Sequence, residues 1–140
     1  MNSYIVRLLF LTFGLNFSIS AWSHDLNGEW ILNIENLNHQ PITQFNIKFT
    51  DQSGSSCLAG NWLRVDVLSS TTKDKNFFPI SEPLSYSVEK NRITIGRNEI
   101  CDGFLLLSGL IKTKITRGKY YSLGVGGTYP HGFFSLSRKN

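Results

Sequence analysis

The sequence predicts an all-β protein, an eight-stranded antiparallel up-and-down barrel, and three observations carry that prediction. From residue 28 onward, apolar and polar residues alternate with a period of two in eight short stretches, which is the pattern of half-buried strands. Turn-forming residues separate these stretches at regular intervals. No stretch keeps a helical period over three turns. Eight strands can close around a packed core or one small ligand, and closure removes the exposed edges that favour aggregation.

The first three strands are predicted between residues 30 and 68. Residues 30–35 place Trp, Leu and Ile on one face and mainly polar residues on the other. Residues 44–49 show the clearest alternation, and residues 51–54 are turn formers that reverse the chain. Residues 57–68 are predicted to form a long third strand, in which Gly60 indicates a bulge or a sharp bend.

The other five strands follow a long irregular segment. Residues 69–83 contain Ser, Thr, Lys, Asp and two prolines around an aromatic pair, a composition that favours a loop. A hairpin with its turn at 89–91 comes next. The five strands are predicted at 86–88, 93–95, 104–115, 120–125 and 133–136, with the later turns at 116–118 and 126–130.

The N-terminal residues have the composition of an export signal. Arg7 is the only charged residue before an apolar run that is too short to span a bilayer as a helix. Ala21 and Ser23 then supply the small residues that a signal peptidase needs. We therefore expect a cleaved signal peptide over 1–23 and a single barrel domain over 24–140, in the periplasm or secreted. A retained membrane anchor or a buried first helix is the alternative.

Cysteine usage agrees with export. Cys57 and Cys101 both lie in the expected mature chain, and in an oxidising compartment two such cysteines are most simply one disulfide. Closing a loop of about 45 residues would stabilise the fold by about 4 kcal/mol on the chain-entropy model. Two unpaired buried thiols or a metal pair are the alternatives, although no histidine lies close in sequence to either cysteine and metal sites need three or four ligands.

The charge balance is mildly basic and points to no nucleic-acid stripe. The formal net charge is +4, and it falls by one when Arg7 leaves with the signal. Basic residues are scattered along the chain, as expected of a solvated surface, whereas a phosphate-binding stripe needs denser clustering. Long-range attraction to an acidic protein or an anionic surface stays open. The loosest grouping of cations is Lys112, Lys114, Arg117 and Lys119.

Two short motifs resemble known small barrels. Gly28-x-Trp30 on the first strand and Arg138 after the last strand resemble the signature of the calycins, the superfamily of lipocalins, avidins and related barrels. The resemblance implies that Trp30 packs across one barrel end with Arg138 over its ring, a contact of about 0.5–2 kcal/mol. The run 25–32 also resembles the opening strand of bacterial periplasmic barrel inhibitors of secreted metalloproteases, which have eight strands and one disulfide.

Catalytic and metal-binding residues are not predicted. The sequence contains no G-x-S-x-G elbow, H-E-x-x-H pair or phosphate-binding glycine loop, and no spacing fixes two carboxylates for acid–base chemistry. His39 and His131 fall in predicted turns and are expected to be exposed polar residues. Cleavage would leave His24 at or near the new N-terminus, where it could chelate copper as an accident of processing. We predict neither an enzyme nor a bound cofactor.

The aromatic pair Phe77-Phe78 is the predicted partner-binding element. Two adjacent rings in a polar, proline-flanked loop cannot easily both face one core, and exposed aromatic residues anchor binding loops. Phe77 and Phe78, with Lys75 and Asn76 beside them, are therefore predicted to contact a partner, and residues 24–26 are the second choice. A loop folded over the barrel mouth is the alternative.

Together these features favour an exported barrel that binds another protein. The expected role is that of an inhibitor or immunity protein against an extracytoplasmic hydrolase or toxin. The alternative is a lipocalin-like carrier of a small apolar ligand. The interior discriminates between them, because a core packed with side chains excludes a ligand whereas a void of about 300 Å³ or more favours a carrier.

Overall fold

The chain closes into a single β-barrel in which every strand is antiparallel to its neighbours in sequence and the last strand returns to the first. The computed structural model describes residues 25–71, 84–97, 101 and 104–140. Among these residues, no helix is long and apolar enough to cross a membrane. The eight strands are β1 (Glu29–Asn36), β2 (Pro41–Ser53), β3 (Leu63–Ser70), β4 (Leu84–Glu89), β5 (Arg92–Arg97), β6 (Phe104–Leu110), β7 (Ile115–Gly124) and β8 (Gly127–Arg138). The predicted all-β barrel of eight antiparallel strands is confirmed.

One face of each strand fills the barrel interior. Successive side chains on a strand point to opposite faces, so the alternation in the sequence becomes an apolar inside and a mainly polar outside. On β1, Trp30, Leu32 and Ile34 are buried while the residues between them are only partly buried. The interior side chains that are almost completely buried include Leu32, Ile34, Phe45, Ile47, Ile93, Ile95, Leu107 and Leu136.

The third strand begins later than the sequence predicts. Residues 57–62 belong to no strand; residues 54–62, here called the outer segment, lie against the outside of the barrel wall. Trp62 is 7% exposed and packs on Leu106, which belongs to a small apolar cluster separate from the interior. The prediction of a strand from residue 57 is wrong because the apolar residues of this segment bury themselves outside the barrel.

A disulfide fixes the outer segment to the barrel. Cys57 and Cys101 are bonded, with their Cα atoms 5.3 Å apart, within the usual range for a disulfide. Cys101 lies between β5 and β6, so the bond connects the outer segment to the β5–β6 connection. The predicted disulfide is confirmed, and it constrains the outer wall and not the core.

The β6–β7 hairpin turns earlier than predicted. β6 ends at Leu110 and β7 begins at Ile115, so the predicted turn at 116–118 is wrong. Gly109 and Gly118 are instead register partners within the hairpin. A Cβ at Gly109 would lie 2.5 Å from the carbonyl oxygen of Arg117, and a Cβ at Gly118 would collide with the Ser108 carbonyl and the Phe134 ring. These glycines permit close packing and do not form a turn.

The last strand is longer than predicted. β8 starts at Gly127 after a two-residue turn, so the predicted connection over 126–130 is wrong for most of its length. The β7–β8 register shifts between Tyr120, which faces Gly132, and Tyr121, which faces Pro130. His131 is therefore the extra residue of a β-bulge, and a bulge tolerates a proline because the ladder is locally interrupted. β2 similarly continues to Ser53, through the predicted turn at 51–54.

Replacing Gly118 by alanine should destabilise the barrel. The added methyl group cannot fit between the Ser108 carbonyl and the Phe134 ring, and overpacking of this kind costs about 1–3 kcal/mol. The control is Gly124→Ala on the same strand, where the nearest atom is a Tyr129 ring carbon at 3.4 Å, and its effect should stay within about 0.5 kcal/mol. Urea unfolding measures both. Equal effects of the two variants would contradict the close packing described.

Candidate functional site

The end of the barrel where the described chain begins and ends is closed by a tryptophan and an arginine. Trp30 and Arg138 are register partners on β1 and β8, and the Arg138 guanidinium carbon lies 4.9 Å from the centre of the Trp30 ring. A cation over an indole face at this distance is attracted by the ring. This is the geometry that the calycin resemblance implies. We call this end of the barrel the Trp30 end.

The residues before β1 are bound to this end by their backbone carbonyls. The Trp30 indole N–H donates to the Leu26 carbonyl at 2.9 Å, and the Arg138 guanidinium donates to the carbonyls of Asn27 and Asp25. Gly28 makes this possible because its φ is +93°, a conformation that residues with a Cβ rarely adopt. Asp25 and Leu26, the described part of the second-choice binding segment, are thus bound to their own barrel.

A cavity of about 720 Å³ opens beside the Trp30 end. Phe49 and Tyr86 form its apolar side, with their ring centroids 4.8 Å apart. The Tyr86 phenol donates to the Thr50 carbonyl at 3.1 Å. Burial raises the pKa of the Tyr86 phenol, and the Asp51 carboxylate raises it further, so this phenol acts as a hydrogen-bond donor at neutral pH. The remaining lining residues are Asp25, Leu26, Asn27, Asn61, Leu63, Ser87, Val88 and Lys90.

A larger concavity of about 1010 Å³ lies on the outer wall of β5 to β8, and we call it the outer groove. Four of its lining residues are cations and none is an acid. Apolar side chains accompany the cations, and three glycines form part of the wall. The lining residues are Leu37, Arg92, Ser108, Gly109, Leu110, Lys112, Arg117, Gly118, Lys119, Tyr120, Tyr121, Leu123, Thr128, Pro130, Gly132 and Phe133.

Strand register brings the groove cations together from distant parts of the sequence. Leu110 is paired with Arg92 on one side and with Arg117 on the other, so a leucine separates two guanidinium groups across three strands. Lys119 is likewise paired with Phe133. Among the described residues, the ion pairs found involve Arg64, Arg138, Lys139 and His39, and none involves a groove cation. Uncompensated cations that share a concave surface add to one positive potential.

The described histidines are both on the surface. His39, in the β1–β2 turn, stacks on the Phe133 ring with centroids 4.4 Å apart, and its Nδ1 lies 3.1 Å from Glu35. His131 is exposed as expected, although it lies in a strand and not in a turn, and its Nε2 is 2.8 Å from the Ser122 hydroxyl. No group of three or more potential metal ligands occurs within the described part of the chain.

The outer groove was not predicted as a site, and the predicted loop site cannot be compared with it. Lys75, Asn76, Phe77 and Phe78 lie outside the described residues, as does His24, so these assignments stay predictions. The sequence did show the loose group of cations over 112–119. It did not show that Arg92 and Leu110 join them, because that depends on the pairing of β5 with β6.

Arg138→Ala should destabilise the barrel more than loss of a surface charge. The substitution removes the contact with Trp30 and the two bonds to backbone carbonyls, which together are worth about 1–3 kcal/mol. Lys139→Ala is the control, because Lys139 makes a surface ion pair with Glu29 at 2.8 Å and such pairs contribute less than about 1 kcal/mol. Denaturant unfolding distinguishes them. If Lys139→Ala costs as much as Arg138→Ala, the Trp30–Arg138 contact is not a significant stabiliser.

No protein-family model matches this chain, and neither a curated protein nor a solved structure matches it. Its function is therefore inferred from its own residues and their geometry.

Proposed function

We propose that this chain is an exported protein-binding barrel that acts as an inhibitor or immunity protein against an extracytoplasmic hydrolase or toxin. One observation carries the proposal: the barrel interior is occupied by the protein's own side chains, while the outer wall carries an open groove of cations and apolar residues. A barrel of this kind can bind a partner on its outer surface and not in its interior.

The packed interior supports a surface role. Leu32, Ile34, Ile47, Ile93 and Ile95 are completely buried within one contiguous cluster. A carrier of the lipocalin kind needs an enclosed, mainly apolar cavity that buries most of its ligand. The two concavities described above are instead open to solvent, one beside the Trp30 end and one on the outer wall.

The rigid wall suits a binding protein. Strands closed into a barrel lose little further conformational entropy on binding, and such preorganisation favours affinity. The disulfide between Cys57 and Cys101 holds the outer segment in place, and a disulfide is typical of an oxidising compartment. In the proposed mechanism, the predicted loop that carries Phe77 and Phe78, with Lys75 and Asn76 beside them, enters a cleft of the target and blocks it.

A carrier of a small apolar ligand is the second candidate, and the cavity beside the Trp30 end favours it. Its volume of about 720 Å³ would hold a small molecule, and Phe49, Leu63 and Tyr86 give it an apolar side. However, Asp51 and Lys90 also line this cavity, and an apolar ligand would have to remove water from those charges. The binding of a protein is therefore the preferred function.

The test is capture followed by inhibition. The mature chain, immobilised through its C-terminus, is exposed to periplasmic and culture extracts of its source, and the proposal predicts recovery of a hydrolase or toxin at equal stoichiometry. The purified barrel should then inhibit that protein at a one-to-one ratio. A Phe77→Ala, Phe78→Ala double variant should bind more weakly, whereas Tyr129→Ala, which removes an exposed aromatic residue of β8, should not.

Two results would overturn the proposal. One is recovery of a co-purifying lipid with no stoichiometric protein, which would favour the carrier. The other is a captured protein whose activity the barrel leaves unchanged, which would exclude an inhibitor or immunity role.

A further inference from the structure

We infer that the outer groove binds an extended, acidic segment of the partner protein, one in which carboxylates are interspersed with aliphatic side chains. The inference rests on the proposed function and deepens it, because it assigns a chemical class of partner to a second surface of the barrel.

The charge of the groove selects an acidic occupant. Arg92, Lys112, Arg117 and Lys119 line it without a carboxylate among the lining residues. In the described part of the chain, the polar contact that these four side chains make is a 3.3 Å hydrogen bond from the Arg92 guanidinium to the Ser108 hydroxyl. Their charges are therefore not neutralised by an ion pair with a described residue. Arginine presents a planar fork that matches a carboxylate in two bonds. Arg92 and Arg117 can therefore each hold one acidic side chain.

The apolar residues of the groove favour a ligand that carries aliphatic side chains as well as charges. Leu37 is 54% exposed and Leu110 is 49% exposed. Tyr121 and Leu123 also line the groove, and they are half-buried because they pack against the apolar cluster of the outer segment. Leu110 lies between Arg92 and Arg117 in register. A ligand that bonds to both guanidinium groups must cross this leucine, and an aliphatic side chain between two acids would cover it.

The closed sheet restricts the way in which a segment can bind. β5 to β8 each pair with a neighbour on both sides, so no free strand edge is present there for a peptide to extend by backbone pairing. Recognition must therefore come from side chains across the groove. Because side chains of the groove make the contacts, the groove is expected to prefer a segment with acidic and aliphatic residues.

The shape and the aromatic residues favour a polypeptide over the other polyanions. The surface is concave and has a volume of about 1010 Å³, whereas a lipid surface is broad and would touch only its margins. Single-stranded nucleic acid needs exposed rings on which bases stack. One face of the Phe133 ring is already covered by His39, at 4.4 Å between centroids.

The test measures the binding of defined probes to the full mature barrel and to single charge reversals. The main probe is a short fluorescein-labelled peptide of glutamate and aspartate with two leucines, and its matched peptide carries serines in place of the leucines. Lys119→Glu and Arg117→Glu alter the groove. Lys48→Glu is the control, because it makes the same change of charge at an exposed position of β2, outside the groove. Phosphatidylserine vesicles and oligothymidylate are the competing probes.

The inference predicts that the leucine-containing acidic peptide binds to the wild type and that each groove reversal weakens it about tenfold or more in about 0.1 M salt. Lys48→Glu should change the affinity by less than about twofold, because its charge lies on β2, outside the groove, and charges more than about 10 Å apart are largely screened at this salt concentration. The serine peptide should bind more weakly than the leucine peptide. Circular dichroism and thermal unfolding show whether each variant keeps the barrel fold.

Several results would overturn the inference. They are an acidic peptide that fails to bind, a Lys48→Glu variant that loses as much affinity as Lys119→Glu, or vesicles or oligothymidylate that bind more tightly than the peptide in a manner that depends on Lys119. Capture of the partner protein separates this failure from failure of the proposed function. A hydrolase or toxin that is captured and inhibited equally by wild type and Lys119→Glu would leave the proposed function intact and remove the groove from it.

Discussion

Closure of the sheet between β1 and β8 determines which parts of this molecule can meet a partner. Once the two strands pair from Trp30–Arg138 to Asn36–Gly132, the inward faces of all eight strands share one enclosed space. Large side chains fill that space, including Phe45 and Phe134, and interiors packed in this way admit few voids larger than a water molecule. The proposed binding of a partner protein would then use the outer wall, the barrel ends or the connections between strands.

Two further contacts attach segments outside the strands to the closed barrel. The Arg138 guanidinium holds residues 25–27 across the Trp30 end, and the disulfide holds the outer segment against β4 to β7. Ser85, Gly96 and Leu106 are register partners in those strands, and all three are buried on the outer wall. The outer segment thus occupies one side of the wall. The groove lies on β5 to β8, where residues such as Leu110 and Lys119 are left exposed.

The strands, which depend on local periodicity, could be predicted from the sequence. The packing and the groove, which depend on strand register, could not. The strands were found because alternation such as Phe45, Ile47 and Phe49 follows directly from a wall with one buried face. Trp62 was assigned to a strand because an apolar residue in the sequence does not indicate whether it packs inside or outside the barrel. Gly118 was assigned to a turn because the sequence does not distinguish a glycine that makes room for a neighbouring aromatic ring from one that allows the chain to turn. The outer groove needed the pairing of Arg92 with Leu110, which no local pattern contains.

The central claim is that the interior is filled and that this barrel functions through its surface. Methyl NMR spectra of Ile93, Ile95 and Leu107, which are completely buried in the interior, test it most directly during a titration with a medium-chain fatty acid. A filled interior predicts that these three resonances do not move as the fatty acid is added. Saturable shifts of all three at one equivalent would show an apolar ligand inside the barrel and would contradict the claim.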